Sequence, residues 1–87
     1  MGEYKVFFKS SADQQLRKLP EALQRRIVGE VESLAHDPRP KGVVKLAGCE
    51  NLWRIRIGDY RVVYEIHDDR LIVLVMRVAH RKDVYRQ

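Results

Sequence analysis

The sequence predicts an α+β domain with an N-terminal strand, a two-helix hairpin and then an antiparallel β-sheet, in the order β-α-α-β-β-β. Two observations lead to this prediction. Apolar residues recur at helical spacing between residues 12 and 35, and from residue 52 onward they alternate with polar ones. Helices and hairpins kept apart along a chain are typical of α+β domains, so we expect the helices to pack on one sheet face. With 87 residues, the chain is predicted to be a single domain spanning residues 1–87.

The first strand and the first helix are predicted from the start of the chain. Residues 4–8, YKVFF, are aromatic and β-branched, as is typical of a strand. Residues 11–14, SADQ, match a capping box, in which the serine oxygen accepts a hydrogen bond from the backbone three residues on. This pattern predicts a helix that begins at Ser11, with Ala12 and Leu16 on one face.

A second helix is predicted from Pro20 to about His36. Proline suits the first turn of a helix, because its missing N–H would have no intrahelical partner there. The residue before a proline avoids helical angles, so Asp37-Pro38 should end the helix. One apolar stripe at helical spacing should pack on the core: Leu23, Ile27, Val31, Leu34 and Ala35.

The second half of the chain is predicted to be a loop followed by three strands. Residues 37–51 carry two prolines and two glycines, which predicts a loop with a brief extended piece at residues 43–46. Alternating apolar and polar residues then predict two strands joined by a tight turn at residues 58–59, Gly-Asp. A second turn at residues 68–69 precedes residues 71–78, LIVLVMRV, whose nearly continuous apolar run predicts a buried central strand.

The two-residue turn fixes the predicted register of the hairpin, in which Arg56 lies directly opposite Arg61. Arg54 then shares their sheet face, while the alternate residues of both strands face the helices. Like charges directly opposite each other destabilise a sheet by roughly 0.2–1 kcal/mol. Glu65, on the same face, offers a neutralising salt bridge, and the alternative is an anionic ligand, since guanidinium groups match phosphate oxygens bidentately. Together with Arg81, the three arginines favour the anion site.

The C-terminal stretch RVAHRKDVYRQ adds further candidate site residues. His80 is the histidine beside the basic cluster, where an imidazole either moves protons near neutral pH or has a structural role. Arg81 and Lys82 add positive charge after the last strand. Tyr85 either stacks on a base or orients a phosphate, and the alternative is that it covers the hydrophobic edge. Arg77 has the opposite strand parity to Arg61, which predicts a place at the surface or the edge of the core.

The composition limits the classes of function. A net charge of +5 and a pI near 9.7 favour a polyanionic or acidic partner. The single cysteine excludes an internal disulfide framework, and the three scattered histidines form no ligand cluster, so we expect no metal and no cofactor. No apolar run approaches the ~18 residues of a membrane helix, and the first residues lack the apolar core of a signal peptide. We therefore expect a cytoplasmic protein with no membrane partner.

Three motifs carry a family resemblance: KLAG at residues 45–48, WRIRIGDYRVVYEI at residues 53–66 and RVAHRKDVY at residues 77–85. In this order and spacing the chain resembles the RelE/ParE superfamily of toxins from prokaryotic toxin-antitoxin modules, and it is most similar to the RelE-type messenger-RNA interferases. The resemblance covers nearly the whole chain. It implies an enzyme that enters the ribosomal A site and cuts the codon there without metal, by attack of the 2′-hydroxyl on the adjacent phosphate.

The resemblance also implies roles for particular residues. The basic positions on the first hairpin strand fall on Arg54 and Arg56, and the phosphate-binding arginine falls on Arg61. The arginine after the last strand falls on Arg81, and the C-terminal tyrosine falls on Tyr85.

Two of the implied roles depend on proton chemistry. Where well-known members carry a lysine as proposed general base, this chain has Arg56, whose guanidinium, with a pKa above about 12, accepts protons poorly. Our hypothesis is therefore that Arg56 and Arg61 stabilise the phosphorane, that Arg81 assists the leaving oxygen, and that His80 is the candidate base. Lys45 and Lys82 complete the set of residues predicted to bind RNA phosphates together with Arg54.

The resemblance implies partners as well. We expect a cognate RelB-like antitoxin, the ribosome and its messenger RNA, and operator DNA only for the toxin-antitoxin complex. One alternative is a ParE-like toxin that inhibits DNA gyrase without cutting RNA, because the same fold serves both activities. A third reading is a nucleic-acid-binding module without toxicity, which would show salt-sensitive RNA affinity and no cleavage.

Overall fold

The computed structural model describes residues 3–46, 48 and 51–84. In these residues the chain forms one five-stranded sheet and two helices, followed by a short helix after the last strand. In chain order the elements are β1 (Lys5–Phe8), α1 (Ser10–Arg17), α2 (Glu21–Ser33), β2 (Val44–Lys45), β3 (Leu52–Ile57), β4 (Tyr60–His67), β5 (Ile72–His80) and α3 (Arg81–Val84). The predicted order of strands and helices is confirmed, and β2 lies where a brief extended piece was expected.

The strands lie in the order β1-β5-β4-β3-β2. Strands β2 to β5 pair antiparallel, as predicted, whereas β1 adds in parallel to the outer edge of β5. The sheet is therefore mixed. Parallel neighbours require a long connection, and here the helix pair and three further strands lie between β1 and β5 in the sequence. The sequence pattern identified β1 as a strand but did not assign its partner.

The helices cover one face of the sheet and form the core with it. Their buried residues are those of the predicted stripes, namely Ala12, Leu16, Ile27, Val31 and Leu34. The sheet contributes Ile57, Val62, Tyr64, Ile66, Val73, Val75 and Val78. Tyr64 is the largest of these side chains; its hydroxyl donates to the Pro38 carbonyl oxygen at 2.8 Å, and burial raises its pKa to about 12.

The predicted capping box at the start of α1 is wrong. The helix begins at Ser10, its capping residue is Lys9, and no side chain caps it. The Lys9 N–H donates to the Val75 carbonyl at 2.8 Å, which extends the strand pairing as far as Lys9. The helix starts immediately after this bond, so Ser11 falls inside the first turn. Similarly, Pro20 precedes α2 rather than opening it.

The predicted hairpin register is confirmed. Ile57 pairs with Tyr60 and Arg56 pairs with Arg61 across a turn formed by Gly58 and Asp59. Gly58 has φ +61°, a left-handed conformation that glycine adopts without steric penalty and that tight hairpin turns require.

At the far end of β4, a polar cluster ties three segments together. The Asp68 carboxylate accepts a hydrogen bond from the Tyr4 hydroxyl at 2.5 Å and two from the Arg39 guanidinium at 2.8 and 3.2 Å. The hydrogen bonds from Arg39 and then from Tyr4 lower the pKa of Asp68 to about 2. The Arg39 guanidinium also lies 5.0 Å from the ring centre of Trp53. In the part of the chain that the structure describes, no helix is long and apolar enough to cross a membrane.

Candidate functional site

Four arginines share the sheet face that is opposite the helices, and we call this face the arginine face. Arg54, on β3, pairs with Val63 on β4, which pairs in turn with Arg77 on β5. In the next row toward the turn, Arg56 pairs with Arg61, which lies beside Ala79. Paired residues point to the same side of a sheet, so three neighbouring strands present four guanidinium groups in two adjacent rows.

Arg77 has the opposite strand parity to Arg61 in the sequence, but the structure places both on the same face of the sheet. Strand β5 contains a β-bulge opposite the junction of Val63 and Tyr64, where Tyr64 pairs with Val75 but Val63 pairs with Arg77. Met76 is the extra residue. A bulge shifts the alternation of side chains by one residue, so the strand that buries Val75 turns Arg77 onto the arginine face. A single sequence carries no clear signal for such a bulge.

The surroundings of the arginines differ. Arg56 is exposed, and its Nε donates to the Gly58 carbonyl oxygen at 3.1 Å. Arg54, Arg61 and Arg77 are half-buried. Glu65, the predicted neutralising acid, forms a hydrogen bond with Nε2 of the His67 ring at 2.8 Å. Glu65 lies four residues along β4 from Arg61, which is about 13 Å in an extended strand.

The hairpin turn brings Arg81 to the same end of the sheet. The Arg81 N–H donates to the Asp59 carbonyl oxygen at 2.8 Å, which fixes the start of α3 against the turn. The Arg81 and Lys82 side chains are exposed. Arg56, Arg61 and Arg81 therefore lie at the same end of the sheet.

His80 lies at this end but on the other face. It pairs with Tyr60, and the two rings meet edge to face with centres 5.3 Å apart. Its Nδ1 accepts a hydrogen bond from the Lys82 backbone N–H at 3.2 Å, so the neutral ring carries its proton on Nε2. Both rings line a cleft of about 260 Å³ that also includes Gln15 and Leu19 of the helix layer. The arginine-face position opposite Arg61 belongs to Ala79, because strand residues alternate.

Lys45 and Tyr85 are the two remaining residues that were predicted to belong to the site. Lys45 pairs with Trp53, and its Nζ lies 5.8 Å from the centre of the indole ring on the helix side of the sheet. Tyr85 lies outside the described residues. Within the described ranges, no group of three His, Cys, Asp or Glu side chains is positioned to hold a metal ion.

The chain is similar to proteins of a known family. The family model for the ParE toxin of the type II toxin-antitoxin system parDE matches residues 6–85. Toxin RelG from Mycobacterium tuberculosis is 32% identical over 85 residues, which cover 97% of this chain and 98% of that protein. Toxin RelE3 from Methanocaldococcus jannaschii is 31% identical over 85 residues, covering 93% and 94% of the two chains.

Solved structures agree with these matches. This chain is similar to a chain of the RelE–RelB complex from Pyrococcus horikoshii, with a TM-score of 0.81 and 30% identity over 91% of this chain and 96% of that one. A chain of the toxin-antitoxin complex RelBE2 from Mycobacterium tuberculosis gives a TM-score of 0.82 and 31% identity, over 93% and 94% of the chains. The resemblance inferred from the three sequence motifs is confirmed, and the chain belongs to the RelE/ParE family of toxins from type II toxin-antitoxin systems.

Proposed function

We propose that this chain, as one domain spanning residues 1–87, is a ribosome-dependent endoribonuclease that cleaves messenger RNA in the A site. The observation that carries the proposal is the direct pairing of Arg56 with Arg61 on a rigid hairpin, next to Arg81 at the turn. A phosphate bound between the two side chains would accept charge-assisted hydrogen bonds from both guanidinium groups. Family membership supplies the expected anion, which is the phosphodiester of a message.

The proposed reaction is a transesterification within the RNA strand. The 2′-oxygen gives up its proton and attacks the adjacent phosphorus, and the bond from phosphorus to the 5′-oxygen breaks. The products are a 2′,3′-cyclic phosphate and a 5′-hydroxyl. Arg56 and Arg61 stabilise the negative charge of the phosphorane, and Arg81 stabilises or protonates the leaving 5′-oxygen. Fixed donors of this kind can be worth several kcal/mol in a site that excludes water.

The proton acceptor in the proposed mechanism is His80, which lies at the same strand end as the arginines. Its ring is on the helix side, so the 2′-hydroxyl would have to approach around the end of β5. Arg56 is excluded as a base at neutral pH, because a guanidinium group stays protonated there.

The proposed partners are a cognate RelB-like antitoxin and, in the cytoplasm, the ribosome with its message. The similar chains from Pyrococcus horikoshii and Mycobacterium tuberculosis were solved in complexes with antitoxins. The arginine face also carries exposed apolar side chains, including Phe7 at 50% and Val44 at 45% exposure. An acidic, amphipathic antitoxin segment would match this mixture of charge and apolar surface. Operator DNA is expected to bind only to the toxin-antitoxin complex.

The decisive experiment adds the purified protein to translating ribosomes and maps message ends by primer extension. We expect cuts in phase with codons, lost in Arg61→Ala and in Arg81→Ala. Arg70→Ala is the matched control, because Arg70 is an exposed arginine in the turn at the opposite end of β4. Cleavage that survives both site substitutions would contradict the proposal.

A second candidate function is inhibition of DNA gyrase, since the matching family model is that of the ParE toxin. A supercoiling assay run beside the ribosome assay separates the two. Inhibited gyrase with intact message would replace the ribonuclease proposal. Salt-sensitive RNA binding with neither activity would leave a nucleic-acid-binding module without toxicity.

A further inference from the structure

Arg26, on helix α2, reaches the hairpin turn from the side opposite the arginine face. A Cβ placed on Gly58 would lie 3.2 Å from Nη1 of Arg26, 3.7 Å from its Cζ and 3.9 Å from its Nη2. The guanidinium therefore rests against the bare backbone of the turn. Its neighbour in sequence, Arg25, is directed elsewhere and pairs with Glu21 at 2.9 Å.

Arg26 differs from the other two arginines of α1 and α2 in its lack of a salt bridge among the described side chains. Exposed arginines on the two helices typically have an acid one helical turn away, as Arg17 has Asp13 at 2.8 Å. The residue four positions before Arg26 is Ala22 and the residue four positions after it is Glu30, but Arg26 forms no salt bridge with Glu30 or with another carboxylate of residues 3–46, 48 or 51–82. The only acid in the turn is Asp59, whose backbone carbonyl accepts from Arg81.

Gly58 is consequently flanked by two guanidinium groups from different layers of the fold. Arg56 reaches its carbonyl oxygen from the arginine face, and Arg26 reaches its Cα side from the helix layer. The absence of a side chain at Gly58 leaves the backbone open between them. A chain of phosphates crossing the turn would meet positive charge on both sides.

We propose that Arg26 forms a second phosphate-binding site, in which a phosphodiester of RNA next to the one held on the arginine face is bound across the hairpin turn. This inference rests on the proposed function for the identity of the polymer. Arg26 is a positioning residue: it holds the strand in place and does not touch the reacting atoms. The phosphodiester belongs either to the message or to ribosomal RNA, and both have the same chemistry.

The test measures binding and cleavage separately for Arg26→Ala and for Arg25→Ala, which removes the same charge from the next position of the same helix. Binding is measured with a short single-stranded RNA carrying a 2′-deoxy substitution, and with ribosomes that hold no message. For Arg26→Ala we expect roughly tenfold weaker binding at low salt and a salt dependence reduced by about one phosphate contact. Arg26→Lys should recover most of the affinity, and Arg25→Ala should bind like the wild type.

In single-turnover cleavage, Arg26→Ala should raise the half-saturating toxin concentration roughly tenfold and leave the maximal rate within about twofold of the wild type.

Weaker binding of the short RNA assigns the phosphate to the message, and weaker binding of empty ribosomes alone assigns it to ribosomal RNA. Equal affinities for Arg26→Ala and Arg25→Ala on both ligands would overturn the proposal. If the wild type cuts no message, the proposed function fails, and the two binding measurements still decide whether Arg26 holds a phosphate. Arg26→Gln, which keeps most of the side-chain stem, repeats the comparison if the alanine variant unfolds at a lower temperature.

Discussion

The two ends of strand β4 place arginine side chains in different surroundings. At the end that follows His67, Arg39 is held by both oxygens of Asp68, which the Tyr4 hydroxyl also contacts. At the end that begins with Tyr60, Arg56 donates to a backbone carbonyl and Arg26 lies against Gly58. Arg39 therefore stabilises the fold through its carboxylate partner. Arg56 and Arg26 contact the backbone of the turn, and we propose that they bind a ligand there.

The protonation state of Asp68 sharpens this contrast. Its pKa is held near 2 by the hydrogen bonds from Arg39 and Tyr4, so the acid stays ionised and the ion pair stays intact at every physiological pH. At the turn end, Asp59 forms no ion pair with a residue of the described ranges. The carboxylate partner of Arg39 therefore distinguishes that end of β4 from the turn end, where we propose that arginines bind an anion.

The largest expected effect of this difference is on cleavage. Arg61→Ala should lower the maximal rate of ribosome-dependent cleavage by about 10²-fold or more, because it removes a fixed donor to the developing phosphorane charge. Arg39→Ala, which removes an arginine at the other end, should leave the rate within about twofold of the wild type once the protein is folded. Primer extension on programmed ribosomes measures both. Equal losses would show that the arginines at the two ends do not differ in function.

The next effect compares two histidines on the same sheet. If His80 is the base, His80→Ala should lower the cleavage rate by about 10²-fold and flatten its rise with pH. His67, at the other end of β4 and bonded to Glu65 at 2.8 Å, is the matched control. Single-turnover rates between pH 5 and pH 9 distinguish the two. An unchanged rate and pH profile in His80→Ala would reduce its role to the edge-on packing against Tyr60.

How far the sequence alone predicts this arrangement depends on the range of the interactions. The register of the hairpin, and with it the opposition of Arg56 and Arg61, follows from local rules: a glycine-first turn and alternation with a period of two. The stripes of the two helices follow from their spacing in the same way. These predictions are confirmed because every contact they need lies within a few residues along the chain or directly across one turn.

The features that the sequence did not predict depend on contacts between distant segments of the chain. The bulge at Met76 reverses the side of Arg77 and leaves no recognisable mark in LIVLVMRV. The start of α1 is set by pairing between Lys9 and Val75, which overrides a capping box that is locally satisfactory. From the sequence, Arg26 is predicted to be one of several charges on a solvated helix face. Only the position of α2 relative to Gly58 shows that it contacts the turn.

A smaller effect, on stability, tests the turn itself. Gly58→Ala should lower the free energy of unfolding by about 1–2 kcal/mol, because a left-handed conformation brings the new Cβ too close to its own carbonyl. Gly29→Ala is the control: it lies in helix α2 with no atom within 4 Å of the added Cβ, and alanine should stabilise the helix by up to about 1 kcal/mol. Urea unfolding measures both changes. A stabilising Gly58→Ala would show that the turn does not need glycine.

The smallest effect lies at the Asp68 end and appears only in acid. The pKa of Asp68 falls from an ordinary value of 3.8 to about 2 in the folded protein, so the unfolded chain takes up the proton first as the pH drops. Its contribution to stability is therefore complete above about pH 4 and disappears as the pH falls toward 2. Asp68→Asn should lower the unfolding temperature at neutral pH, and its curve should converge with that of the wild type near pH 2.

The neighbouring Asp69, 3.9 Å from the Arg70 guanidinium and exposed, provides the control. Asp69→Asn should follow the wild-type curve throughout, since exposed pairs of this length contribute little. Thermal unfolding followed by circular dichroism from pH 2 to pH 7 gives the three curves. Parallel curves for Asp68→Asn and the wild type would mean that Arg39 and Tyr4 do not bind the ionised carboxylate selectively, and the distinction between the two ends of β4 would then rest on the cleavage data alone.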